Sequence, residues 1–289
     1  MKIYYDVTNP DAAYEWVYSI LDIKQGGLIE DYVLQCSSDF EKFFEEHIDK
    51  IKEIDINKLE LVAIHVTSNN DNCLAIRNQG LKNLKVVLSE DTELSRFLLG
   101  EQIAFDINQK KMFIQGAEYE IDYQKYLRMG EKTKQQEELE SIARKIYYDY
   151  QVNGFFFNKD IFDYGTGIHK HPEFLLTLSA LGKEVHSVVD KWDECNEGYV
   201  IKYKSQIKDF EYYTFYYSID EYLKDSKNGW IQLKKLLLSR AIDSCFSNLE
   251  SEIFAYMKPG IIEPERIIEC IPIGEWKEHV AKYLSLIHI

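Results

Sequence analysis

The sequence predicts an α+β fold. Helical and strand-like apolar patterns alternate in irregular order without an internal repeat, which argues against a regular βαβ succession. A chain of 289 residues, 45% of them apolar, can bury a substantial core of its own.

Residues 1–58 form a helical N-terminal region by pattern. Apolar residues recur at helical spacing over 12–21 and again over 39–48, where Asp39 is placed to cap a helix. Gly26-Gly27 separates the two. This predicts a small lobe, a lid or a packing support. Residues 59–66 read as a buried strand from their continuous apolar run. A helix then starts near Asn69–Asn72, with Leu74, Ile76 and Leu81 expected inward and Gly80 ending it. Residues 89–99 predict a further helix, and 112–114 with 118–121 a hairpin around Gly116. A long charged helix is expected over 125–150, within a helical insertion of about 122–150, with Leu139, Ile142, Ala143, Ile146 and Tyr147 on one stripe. Residues 154–157 read as a strand, followed by the Gly-rich loop 163–167. A helix opens at His171-Pro172 and ends at Gly182. Paired strands over 199–207 and 210–217, a helix over 230–242, and final strands over 253–256 and 267–271 complete the reading.

The balance of 34 basic against 49 acidic residues, a net charge of −15, disfavours unspecific binding to nucleic acid or an anionic membrane. No apolar run reaches the ~18 residues of a membrane helix. No apolar stretch of the signal-peptide kind follows Lys2. The cysteines Cys36, Cys73, Cys195, Cys245 and Cys270 are scattered and in no ligand spacing, so they read as free thiols in a reducing cytoplasm rather than a zinc site. The apolar tail 284–289, with His288, reads as a non-native extension.

Two short motifs carry the chemistry. Glu252 opens an apolar run, and a carboxylate at the mouth of a buried strand can be held rigidly and aimed into a cleft. Glu250, two residues earlier, shares its side of an extended chain, and two such acids can act on a developing cation. The plain alternative is a pair of solvated acids after 244–249. His65 ends the first apolar strand and Thr67 shares its face, so an imidazole and a hydroxyl stand side by side for a hydroxyl-rich ligand. A satisfied core histidine is the plain alternative.

His65-Val66-Thr67 at a strand end, then Ile76 and Gly80-Leu81, resembles the first NAD-binding strand of ADP-ribosyltransferases, in the branch with a His-Tyr-Glu signature. Glu252 opening a later strand, with Gly260-Ile261-Ile262-Glu263-Pro264-Glu265-Arg266-Ile267 after it, is similar to that family's C-terminal end. Residues 154–157, Tyr164 and the helix after Pro172 resemble its middle. The resemblance covers about residues 59 to 275 and implies a split antiparallel β-sandwich with flanking helices, the domain running from 59 to 283. It further implies that NAD is the substrate, that His65 bonds the adenine-side ribose, and that Thr67 orients the dinucleotide. Tyr164 or Phe156 would stack on nicotinamide. Glu252 would hold the nicotinamide ribose and stabilise the oxocarbenium-like transition state, and Glu250 would orient or deprotonate the acceptor. Phe155 or Phe156 stands where the family often has a strand tyrosine, and the Glu-x-Glu pair is typical of the family's Arg-Ser-Glu branch.

The resulting expectation is a cytoplasmic mono-ADP-ribosyltransferase of toxin, effector or phage-defence type. It would act on a macromolecular acceptor, protein or nucleic acid, with an antitoxin or regulatory partner as a further expectation and no membrane involved. A non-catalytic NAD- or ADP-ribose-binding or interaction module on the same fold is the alternative. A relative of the RNA 2′-phosphotransferases is a third. Weaker signals are His169 and His171 as metal ligands, the short Gly165-Thr166-Gly167, and Lys202, Lys204 and Lys208 between tyrosines as a basic aromatic strip.

Overall fold

The computed structural model describes residues 4–24, 26–258, 260–276 and 278. The tail 284–289 and the first three residues lie outside them. Among the described residues the strands are β1 (Glu60–Asn69), β2 (Ile103–Asp106), β3 (Lys111–Ile114), β4 (Ala117–Glu120), β5 (Asn153–Phe157), β6 (Glu197–Gln206), β7 (Ile253–Tyr256) and β8 (Ile267–Pro272). They form a five-stranded sheet in the order β7-β5-β1-β6-β8 and a three-stranded sheet in the order β2-β3-β4, all pairs antiparallel. With helices packed around both, the chain is α+β.

The large sheet is built on β1 and β6, which pair from Glu60↔Gln206 to Asn69↔Glu197. Both are buried on two faces, which explains why β1 reads as a continuous rather than an alternating apolar run. Leu61 and Ala63 face one core, shared with Phe156, Ile201 and Tyr203; Ile64 and Val66 face a smaller one with Phe155, Val200 and Trp276. The first core also takes in the N-terminal helices and the helix Ile231–Cys245. The helix Pro10–Leu21, started by the Asn9 side chain and Pro10, buries Trp16, Val17 and Leu21 there. Tyr5 bonds alongside β1, with Tyr5 N–H donating to Glu60 O (3.0 Å) and Val62 N–H to Tyr5 O (2.8 Å). Residues 4–58 therefore share their core with the sheet.

A second core is assembled from segments between β1 and β5 and between β5 and β6. Leu98, Ile114, Ile142, Ile146, Leu175 and Trp192 pack together there beside the small sheet. The hairpin of β3 and β4 turns at Gln115-Gly116, both with positive φ.

Several expected elements are cut or replaced. The helix expected over 89–99 is Glu93–Gly100, and a separate helix, Leu84–Ser89, precedes it. Thr92 restarts the chain in a reciprocal cap with Ser95. The long helix over 125–150 is Tyr123–Leu127 and then Lys134–Tyr147, restarted by Thr133 and Gln136 in the same way. Residues 210–217 are no strand but contain the 3-10 turn Tyr212–Thr214. Phe210 and Phe215 fold back onto Phe156, at ring distances of 5.1 and 5.8 Å, and that packing outweighs the β propensity of an aromatic run. The helices Val188–Cys195 and Ile219–Lys227 were not foreseen.

Candidate functional site

β1 and β5 are registered at one pair, Ile64↔Phe155, and then part. At the point of parting the His65 imidazole takes the place of the ladder. Its Nδ1–H donates to the Asn153 carbonyl at 2.7 Å. Because a carbonyl can only accept, this bond fixes the tautomer and leaves Nε2 as an acceptor. Burial pushes the imidazole pKa down, against the opposing pull of the Asn153 carbonyl, so the ring is held neutral. Gly154 allows the close approach at the same point: a Cβ there would lie 2.1 Å from Ile64 O.

Beyond the split a cleft of about 600 Å³ opens between β1, β5 and the second core. One wall is the end of β1 with the helices Leu74–Gln79 and Glu93–Gly100. Gly80 and Leu81 in that wall are held by a segment far away in sequence. Leu81 and Ile262 exchange backbone bonds of 2.8 and 2.9 Å, and Asn83 Nδ2 donates to Gly260 O at 3.2 Å. Gly80, at φ +80°, has no room for a Cβ, which would sit 2.2 Å from Ile262 O. The Gly80-Leu81 and Gly260–Ile262 stretches, both singled out in the sequence, thus meet.

The opposite wall is aromatic. Phe155 meets Tyr164 edge-on at 5.4 Å and Phe254 at 5.2 Å, and Phe254 stacks with Tyr256 at 5.6 Å. Burial raises the Tyr164 phenol pKa, and the neighbouring Glu173, Tyr256 and Glu252 add to it. Deeper in, Lys145 Nζ donates to Asp149 (2.8 Å) and Glu173 (2.7 Å). Burial would lower this ammonium, but the two carboxylates hold it above its usual range. At the far end Asn70 N–H donates to Glu93 Oε1 at 2.9 Å, and burial pushes the Glu93 carboxyl up to about 7 despite that bond. Trp192 Nε1–H donates to Ser68 Oγ at 2.8 Å.

The structure brings His65, Thr67 and Tyr164 into this cleft. Glu252 stands exposed just before β7. It is in the same alternation as Phe254 and Tyr256 and near enough to Tyr164 to act on its phenol, but it is not among the residues lining the cleft. Glu250 is exposed in the preceding turn and likewise outside it. Phe156 requires correction. It is 1% exposed and packs on the far face of the sheet with Phe210 and Phe215, because side chains alternate; its neighbour Phe155 lines the cleft instead. The basic aromatic strip does not form. Lys202 is buried against Asp6 at 2.6 Å, Lys204 reaches the Tyr4 hydroxyl at 3.2 Å, and Tyr199 and Tyr203 are buried. His171 Nδ1 meets the carboxylate of Asp193 at 2.9 Å, an acidic partner that the sequence did not reveal.

Sequence reasoning missed Lys145, Asn153, Glu173, Glu93 and Trp192. The stripe that buries Ile142 and Ile146 places Lys145 at its edge, which is the signal that was there to use. Among the described residues, no group of three or more His, Cys, Asp or Glu is placed to hold a metal, and no helix is long and apolar enough to cross a membrane. All five cysteines are free, only Cys195 exposed. No family model, curated protein or solved structure matches the chain.

Proposed function

We propose that the protein is a mono-ADP-ribosyltransferase that cleaves NAD in this cleft and passes ADP-ribose to a macromolecular acceptor. The observation that carries the reading is the parting of β1 from β5 around the neutral His65, with the edge strand that follows Glu252 forming the aromatic wall. A second, smaller sheet, packed on the helices of the second core, supports the finer likeness to the ADP-ribosyltransferase fold. A cleft of about 600 Å³ suits a dinucleotide. His65 Nε2 can accept from a ribose hydroxyl, and the rings of Tyr164, Phe155 and Phe254 suit the flat, cationic nicotinamide. In the reaction the bond from the ribose anomeric carbon to nicotinamide breaks, and its electron pair leaves on the nicotinamide nitrogen. A carboxylate at Glu252 stabilises the charge that develops on the sugar.

Glu252→Gln tests this. Nicotinamide release from NAD should fall at least about 100-fold while the thermal midpoint stays unchanged. Full activity in the folded variant would remove Glu252 from the mechanism.

The rim position of Glu252, exposed and outside the cleft lining, favours a second reading as a non-catalytic NAD- or ADP-ribose-binding module. Calorimetric NAD binding without nicotinamide release would select it.

A further inference from the structure

Two of the buried cysteines, far apart in sequence, meet at the edge of the large sheet. Cys270 lies on β8, the strand at that edge, opposite Ile201 on β6. Two residues along the same face, Tyr199 pairs with Pro272, and its hydroxyl donates to Asn72 Oδ1 at 2.9 Å. That bond brings the turn after β1, with Cys73 next in the chain, over the face that carries Cys270. The helix Leu74–Gln79 ties the same junction. Arg77 N–H donates to Cys73 O at 2.9 Å, and Arg77 Nη2 donates to Cys270 O at 3.4 Å. Between these ties the two thiols meet, and Cys73 Sγ–H donates to Cys270 Sγ. Asn69 holds Cys73 in place: its Nδ2 donates to Cys73 Sγ at 3.1 Å and its Oδ1 accepts from Cys73 N–H at 2.9 Å.

The pair is asymmetric. The bond from Cys73 pulls the Cys270 thiol below its usual range against the effect of burial; the Arg77 guanidinium adds to the pull, and Glu269 and Asp71 oppose it. The same bond, with burial, pushes the Cys73 thiol up. Cys270 keeps 6% of its surface exposed and Cys73 none. A thiolate with a small opening to solvent, beside a sealed thiol, is the arrangement of an attacking and a resolving cysteine. Only the first needs to meet the oxidant. So small an opening favours a peroxide over a bulky disulfide.

We propose that Cys73 and Cys270 are a peroxide-reactive pair that closes to a reversible disulfide between the cleft wall and the sheet edge. The Cys270 thiolate attacks one peroxide oxygen. The S–O bond forms, the O–O bond breaks, and the hydroxide released takes a proton from solvent. Cys73 Sγ then attacks the Cys270 sulfur. The S–S bond forms, the S–O bond breaks, and the departing hydroxide leaves as water with the Cys73 proton. Two thiols are oxidised and one peroxide is reduced to two waters; a dithiol reopens the link by exchange. Asn69, Asp71, Ala75 and Ile76, on either side of Cys73, line the cleft, so the link fixes that wall to β8. The inference does not rest on the transferase reading.

The test uses the full chain, reduced and then freed of reductant. It is treated with hydrogen peroxide at pH 7, alkylated at intervals, and mapped by peptide mass spectrometry, with the exposed Cys195 as the internal reference. A peptide pair joined through Cys73 and Cys270 should appear, in monomeric protein, and vanish with dithiothreitol. Cys270 should be consumed about tenfold faster than Cys195. In Cys73→Ala, dimedone should label a sulfenic acid at Cys270. The native map decides even where that variant does not fold. Cys73 and Cys270 both alkylated after peroxide, Cys195 reacting first, or a dimedone label on Cys73 instead of Cys270 would overturn the proposal. Nicotinamide release is not read, so loss of the transferase reading leaves this outcome untouched.

Discussion

At His65 and Gly154 single atoms decide where the sheet opens. The imidazole is one residue past the last registered pair of β1 and β5, and its bond to the Asn153 carbonyl stands in for a ladder bond. A neutral ring is required there, because a protonated one would carry an unpaired buried charge. Gly154 is needed for a different reason: a methyl group at its Cβ position would sit 2.1 Å from Ile64 O, a backbone atom of the strand next to it. A flexible side chain could move aside; a paired strand cannot. Gly154→Ala should therefore cost about 2–3 kcal/mol by urea denaturation and shift the His65 imidazole resonance, since the Asn153 carbonyl is adjacent. A loss below about 0.5 kcal/mol would show that the strands part for another reason.

At the scale of elements, periodicity made some positions legible and left others hidden. The buried run of β1, the hairpin at Gly116, the strand at Phe155 and the stripe Leu139, Ile142, Ala143, Ile146 all follow their patterns. What failed was segmentation. Thr92 and Thr133 each break an apparently continuous helix, and their caps depend on partners three residues on that are easily taken for ordinary helix residues. Leu74 was expected inward and is 60% exposed, because Asn72 and Cys73 both adopt left-handed backbone conformations and reset the helix phase. In the cleft, His65 and Thr67 were legible from their place at a strand end and Tyr164 from the Gly-rich loop after a strand. Glu93 was not, since its cleft position comes from contacts between segments distant in sequence, and Lys145 left only its place at the edge of the stripe of Ile142 and Ile146 as a signal. The contrast can be measured. Ile142→Ala, at a fully buried site, should lose about 3 kcal/mol in urea denaturation, whereas Leu74→Ala should change stability by less than about 0.5 kcal/mol. Equal losses would contradict an outward-facing Leu74 and an inward-facing Ile142.

Across the whole molecule the cleft is a seam between two cores, and the end of β1 is tied across it by two bonds, Asn70 N–H to Glu93 and Trp192 Nε1–H to Ser68. Glu93 makes that seam responsive to pH. Burial raises its carboxyl from 4.5 to about 7, so between those values the folded chain holds a proton that the unfolded chain has released. Stability from this group is then greatest below about 4.5 and is lost as pH rises through about 7, the reverse of a carboxylate held by a cation. Glu93→Gln keeps an oxygen to accept from Asn70 and removes the titration. The variant should melt above native protein at pH 8, and the gap should shrink as pH falls from 7 towards 4.5. Unfolding followed at Trp192, on the seam, and by far-ultraviolet circular dichroism should show the same trend if both cores melt together. A gap that stays constant with pH would mean that Glu93 is ionised in the fold and that the seam is held by packing alone.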